Sequence, residues 1–400
     1  MYGSGGIRIG RIFGVRIGFD TSWLLIVVLL TWSLTAAFAR WHPDWSPAAA
    51  FGTALIAALL FFGSVVLHEL AHSLVARRFG IPVESITLFL FGGVSNIERE
   101  PPSAKAEFWT AIVGPVTSVV LGVVLLLLGS FAMRIPADAA ADPSTAIAHL
   151  SPAGSLLMWL GPINILVGVF NLIPGFPLDG GRVLRSAIWA ATGDLHVATR
   201  WASAFGQAIG WFFVFLGVAI AFGANVQFFG RGIVSGLWLA FIGWFLSAAA
   251  AQTWRRHLIE ELLGGLSVSR LMRTGVSAVR PDTPIATFAS DWIMRGDERA
   301  FPVAGDHGRL LGIVSLADVR TAPRDAWEAT PVSAVMTPAD RLVAVGPRDD
   351  LAQAHEKMVR ADVGQLPVLD GDRLVGMLLR RDVARWIELH AHVNARGFAH

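Results

Sequence analysis

The sequence predicts a polytopic α-helical membrane protein, six spans with a small β-hairpin or sheet among them, followed by an α/β module. Three observations carry this. Hydrophobic residues make up 54% of the 400 and charged ones only 16%, with a mean hydropathy of +0.56, against the roughly 25% charge of a soluble globular chain. Apolar runs long enough to cross a bilayer recur as far as Ala251. Beyond it the chain turns charged, alternates helical and strand patterns, and repeats itself.

The spans run approximately from Trp23 to Phe38, Phe51 to Ala76, Phe108 to Met133, Leu156 to Ile173, Trp201 to Phe222 and Ile233 to Ala251. Arg8, Arg11 and Arg16 precede the first, which is too long for a signal-peptide core and leads into further spans, so it is read as an uncleaved anchor. With the N-terminus inside, the cytoplasmic segments hold Arg8, Arg11, Arg16, Arg77, Arg78, Arg99, Lys105, Arg182, Arg185, Arg200, Arg255 and Arg256, and the outer loops only Arg40, Arg134 and Arg231. That asymmetry orients the chain. Trp41, Trp45, Trp109, Trp159, Trp201 and Trp254 sit near span ends as interfacial anchors. The net charge of +2 and scattered basic residues show no nucleic-acid footprint. No Cys is present, so a metal must be held by His and carboxylate.

The second span contains His68, Glu69 and His72 in the pattern H-E-x-x-H. On a helix the two His lie about 40° apart, one turn above the other, so two imidazoles can grip one ion while Glu69 beside them serves a water as acid/base. Ionisable groups at membrane depth cost several kcal/mol to insert and mark a functional site. The bland alternative is a hydrogen-bonded cluster inside a helix bundle.

The fourth span ends in Asn171-Leu172-Ile173-Pro174-Gly175-Phe176-Pro177-Leu178-Asp179-Gly180-Gly181-Arg182, at the cytoplasmic depth of the H-E-x-x-H turn. Asp179 is there placed to complete the site, and the broken backbone points to a hydrated pocket. An ordinary turn, with Asp179 bonding its own backbone, would read the same way. Between spans two and three, Ile81 to Ile97 holds β-formers around Gly92-Gly93 and reads as a hairpin dipping toward the site. Its edge could pair with an unwound substrate backbone, or the hairpin could merely plug the bundle.

H-E-L-A-H in the second span, N-x-x-P-x-x-P-L-D-G roughly a hundred residues later and Gly114-Pro115 in the third span resemble the site-2 protease family of intramembrane zinc metalloproteases. The resemblance implies His68, His72 and Asp179 as ligands of one Zn2+, Glu69 as catalytic acid/base and Asn171 as a polar pocket residue. It further implies a transmembrane protein as substrate, cut in the bilayer after a first extracytoplasmic cleavage. The expected location is a prokaryotic-type cell membrane, with the N-terminus, the active-site side and the C-terminal module cytoplasmic. The competing class is a gated transporter or channel using the same residues as an ion site.

The domain boundaries expected are a membrane protease domain over 1–253, a linker over 254–266, repeats over 267–324 and 325–388, and a flexible tail over 389–400. Met272 and Met336, Gly312 and Gly376, and Asp318 and Asp382 are spaced alike, with Pro302 and Pro367 one residue out of step. Each copy ends in a variant of G-x-V-x-x-x-D, Gly312 to Asp318 and Gly376 to Asp382, which resembles a CBS-domain pair. The resemblance implies ATP or AMP as ligand and homodimerisation through the module. An Asp at a helix start can accept ribose hydroxyls and the helix N-terminus favours phosphate. Leu379 stands where the first copy has Ser315, so one competent site around Ser315 and Asp318 is expected, with Asp382 in the weaker one. The alternative is that both Asp cap helices and the module docks a protein. His42, His149, His196 and His257 are read as solvated, and His390, His392 and His400 as tail residues.

Overall fold

A computed structural model describes residues 7–89, 92–97, 101–132, 150–226, 230–293, 298 and 300–397. Arg99, Arg134, His149 and His400, named above, lie outside these. The chain divides into two compact units, split between Arg255 and Arg256.

Among the described residues of the first unit, six helices are long and apolar enough to cross a membrane. They are α1 (Thr21–Trp41), α2 (Pro47–Arg78), α3 (Ala104–Ala132), α4 (Pro152–Asn171), and, after the shorter α5 (Asp179–Thr192), α6 (Leu195–Ala221) and α7 (Ile233–Leu263). Their starts follow capping chemistry. Asp20, Ser46, Ser151 and Asp194 each accept from a first-turn amide, and Pro47 and Pro152 stand in the first turn, where no intrahelical donor is lost. The helices overrun the hydrophobic spans by several residues, as helical pairing does not stop where apolar sequence does.

Helix α5 was not expected. It is amphipathic, begins at Asp179 and ends on Gly193 at φ 72, a left-handed stop that glycine adopts without strain. It follows the Pro/Gly-broken loop directly. A Cβ on Gly180 would strike the backbone of Leu172 and Ile173, and one on Gly181 that of Gly175 and Phe176, so the loop doubles back onto the first turn. Gly175 in turn meets Gly206 of α6, where a Cβ would lie 2.6 Å from the Gly206 Cα. Backbone-to-backbone packing fixes where α5 starts.

The expected hairpin is half of a four-stranded sheet in the order β1-β2-β3-β4: β1 (Ile7–Ile12), β2 (Val15–Phe19), β3 (Val83–Phe89) and β4 (Gly92–Ile97). β2 runs parallel to β3, pairing Ile17 with Ile86 and Phe19 with Leu88, while β3 and β4 are antiparallel. Gly92 and Gly93 are not the turn but the start of β4, opposite Phe89 and Leu88. Arg77 at the end of α2 ties the sheet down, donating to the carbonyls of Phe13, Gly14 and Val83.

In the second unit, the segment expected as a linker is the helical end of α7, whose Ile259 and Leu263 join an apolar core. The segment expected as a flexible tail is helical to Gly397. The two repeats interlock. Val268, at the start of the first, packs with Leu351, Met358, Leu366 and Leu378 of the second, and Val332, near the start of the second, packs with Phe288, Phe301 and Val314 of the first. The paired glycines and methionines mark that exchange: a Cβ on Gly312 would meet the Met336 Sδ at 2.8 Å and one on Gly376 the Met272 Sδ at 3.2 Å. The strands are β5 (Ala300–Ala304), β6 (Leu310–Ser315) and the short β7 (Thr337–Pro338) in one sheet, and β8 (Gln365–Asp370) with β9 (Arg373–Leu379) in the other.

Histidines outside the motif are more tied down than loop residues would be. His42 is buried, stacks on Trp45 at 4.0 Å and bonds the Ser155 hydroxyl at 2.7 Å. His196 packs edge-on against Trp254, and His390 stacks on Trp386. Short ring-to-ring contacts outweigh solvation at these positions.

Candidate metal centre

The H-E-x-x-H turn lies inside α2, and α5 brings Asp179 to it from 107 residues further along the chain. Three donor atoms converge. His68 Nε2 and His72 Nε2 are 3.1 Å apart, and Asp179 Oδ2 lies 3.1 Å from the first and 3.2 Å from the second. Both imidazoles are buried, at 5% exposure each.

Whether this triangle suits a metal follows from the other ring nitrogen. His72 Nδ1 lies 2.5 Å from the Thr110 carbonyl oxygen, which can only accept, so Nδ1 carries the proton and Nε2 presents a lone pair. His68 Nδ1 is held at 2.9 Å by the Ser118 hydroxyl. Two imidazole nitrogens turned on each other, with a carboxylate oxygen as third corner, make a donor set for a cation. Tetrahedral zinc with bonds of 2.0–2.1 Å would separate its donors by about 3.3 Å, close to the observed edges. Gly114 makes the room: a Cβ there would fall 2.5 Å from His72 Cε1 and 2.8 Å from His68 Nε2. The residues present fit a zinc ion.

Glu69 is half-buried beside this cluster, and β4 passes it so closely that a Cβ on Gly93 would lie 2.5 Å from its Cγ. Asn171 is the last residue of α4 and half-buried. Asp179, His68 and His72 are therefore brought together, with Glu69 adjacent, while the Asn171 side chain makes no hydrogen bond to another described residue.

Sequence reasoning missed most of α3's part. Glu107, Thr110, Gly114 and Ser118 recur at steps of three and four, one face of a helix. Thr110 and Ser118 orient the imidazoles, Gly114 clears space, and Glu107 pairs with Arg185 of α5. Arg185, counted above among cytoplasmic loop charges, is instead 8% exposed. The stripe was present in the sequence, but only Gly114 was singled out.

In the second unit, Ser315 and Asp318 form a capping box at a short helix, Leu316–Val319. Asp318 Oδ2 accepts from the Ser315 amide and hydroxyl, both at 2.7 Å. Asp382 accepts from Arg273 through both oxygens, at 2.7 and 2.9 Å, and this guanidinium holds its carboxyl below the ordinary range.

Residues 56–217 match peptidase family M50, and residues 268–325 and 332–389 each match the CBS domain. The Synechocystis sp. protein named "Putative zinc metalloprotease sll0528" is 33% identical over 96% of both chains. The Mycobacterium tuberculosis protein named "Putative zinc metalloprotease Rip3" is 32% identical over 96% of this chain and 93% of its own. Among solved structures, the site-2 protease of Methanocaldococcus jannaschii is 28% identical, covering 62% of this chain and 95% of its own at a TM-score of 0.40. With the Synechocystis relative 33% identical and matched nearly end to end, the chain belongs to peptidase family M50, the site-2 protease zinc metallopeptidases, with six apolar helices followed in sequence by a CBS pair.

Proposed function

We propose that this enzyme cuts the transmembrane segment of another membrane protein, with His68, His72 and Asp179 holding one zinc ion and Glu69 moving the protons. The observation that carries this is the triangle of two imidazole Nε2 atoms from a span-borne helix and a carboxylate oxygen brought to them by α5. Zinc, when bound, supplies the positive charge that polarises a peptide carbonyl and makes a water acidic near neutral pH. Glu69 takes a proton from the attacking water at a carboxylate oxygen and delivers it to the amine that leaves. The Thr110 carbonyl and the Ser118 hydroxyl hold the two rings by Nδ1, which keeps both Nε2 atoms turned to the proposed metal position. Asn171, at the mouth of the broken loop, is the candidate to hold substrate carbonyls. The outer strand β4, which passes Glu69, is the candidate edge for substrate backbone once the helix unwinds.

The arginine asymmetry supports a cytoplasmic placement for the N-terminus, the active-site side and the CBS pair. The pair is proposed as the regulator. Asp318 keeps Oδ1 for a ribose hydroxyl while Arg273 takes both oxygens of Asp382, so an adenine nucleotide would find one competent site, around Ser315 and Asp318.

The test is Glu69→Gln on purified full-length protein. It should keep one zinc per chain and lose cleavage of a co-expressed transmembrane substrate; unchanged cleavage would refute the assignment.

A further inference from the structure

Behind the metal centre lies a charged pair that the chemistry above does not use. Arg185 Nε donates to Glu107 Oε1 at 2.6 Å, and Nη2 reaches the same oxygen. Both side chains are almost fully buried, at 10% and 2% exposure. The guanidinium also covers the Phe176 ring at 5.5 Å, in the loop that delivers Asp179.

The placement of these contacts is what matters. Arg185 sits six positions after Asp179 on α5, about 9 Å along the axis. Its partner Glu107 stands on the α3 face that, at Thr110 and Ser118, holds the two imidazoles by their Nδ1 atoms. One face of α3 thus grips α2 through the histidines and α5 through Arg185. The first turn of α5 has no side-chain cap of its own to fix it, and its N-cap residue is Leu178.

We propose that the Glu107–Arg185 pair is a positioning device for zinc: it sets the height and rotation of α5 on α3, and with them the reach of Asp179 Oδ2 to the two Nε2 atoms. This rests on Asp179 being a zinc ligand. Neither Glu107 nor Arg185 is a catalytic residue; they act through Asp179.

The experiment uses full-length protein in detergent, loaded with zinc and challenged with excess chelator. Zinc per chain and its release rate are read for wild type, Asp179→Asn, Arg185→Gln, Arg185→Lys and the double variant Glu107→Leu/Arg185→Met. Release should quicken on the order of ten- to hundredfold in Arg185→Gln, as for loss of a partner that orients a ligand. Arg185→Lys, which keeps the ion pair, should recover part of the retention. Should Arg185→Gln fail to fold, the double variant decides, since it removes both charges of the pair together: fast release on an intact thermal transition supports the proposal. Cobalt-loaded protein should show altered visible absorption in the same variants. Wild-type retention in Arg185→Gln or the double variant, alongside loss in Asp179→Asn, would overturn the positioning role. Wild-type retention in Asp179→Asn would overturn the ligand assignment beneath it.

Discussion

Replacing Gly114 by Ala should empty the metal centre while leaving the helices in place. An added methyl would lie 2.5 Å from His72 Cε1 and 2.8 Å from His68 Nε2, where non-bonded heavy atoms need about 3.5 Å. The rings must therefore retreat by at least about 1.0 Å and 0.7 Å, several times the roughly 0.2 Å that a zinc site tolerates. Retreat is blocked on the far side. His72 Nδ1 is already 2.5 Å from the carbonyl of Thr110, on the same helix as Gly114, so the ring is caught between two points of α3. Zinc retention should fall by at least ten- to hundredfold, and the apo fold should lose about 1–3 kcal/mol from overpacking. Zinc per chain and thermal unfolding, read on one purified sample, check both. Stoichiometric zinc with wild-type cleavage in Gly114→Ala would refute the packing argument and the donor geometry together.

Gly93→Ala should separate catalysis from metal binding: the new Cβ pushes on Glu69 at its Cγ, so cleavage should drop more than tenfold with zinc unchanged, and loss of zinc would place the strand against the wrong residue. Acid should weaken the CBS unit in two windows. The folded state favours neutral His355, chiefly through burial and then through Arg380, so its contribution is present above its ordinary 6.5 and lost as pH falls below it. Asp382, depressed chiefly by Arg273, contributes above its ordinary 3.8 and loses that as pH falls further. Arg273→Met should flatten only the lower window in melting curves. Millimolar ATP or AMP should raise the melting temperature of a fragment from Arg256 onward in a manner abolished by Asp318→Ala; a fragment begun at Leu266 would lack Ile259 and Leu263 from its core.

Long, locally determined features were legible in the sequence. The six spans, the H-E-x-x-H turn and the repeat depend on composition or on spacing within a few turns of helix. Asp179 was legible because a Pro/Gly break at membrane depth stands out against apolar sequence. What escaped depends on partners far apart in the chain. The Glu107–Arg185 pair spans 78 residues, and either residue alone reads as a charge beside a span. Strands β1 and β2 escaped because Arg8, Arg11 and Arg16 read as flanking charge, although Val15, Ile17 and Phe19 alternate as a half-buried strand does. The helical linker escaped because it is polar; the pair Arg256–Glu260 at 3.0 Å supports it at i,i+4 spacing.

The same far-apart contacts separate an enzyme's resident ion from a transported one. A conducting or transporting site must bind weakly enough to let go, through ligands that exchange or move. Here both imidazoles are fixed behind by Thr110 and Ser118, at 2.5 and 2.9 Å, and the helix that carries the third donor is fastened to the same face of α3 by a buried ion pair. Both proposed imidazole ligands are thus held at Nδ1, away from the facing Nε2 atoms, and the third donor rides on a helix anchored to the same α3 face, an arrangement that opposes the donors following an ion outward. Such an arrangement favours constant geometry over exchange, which suits the hydrolysis proposed above, where Glu69 would have to find water and a scissile carbonyl in the same place at every turnover.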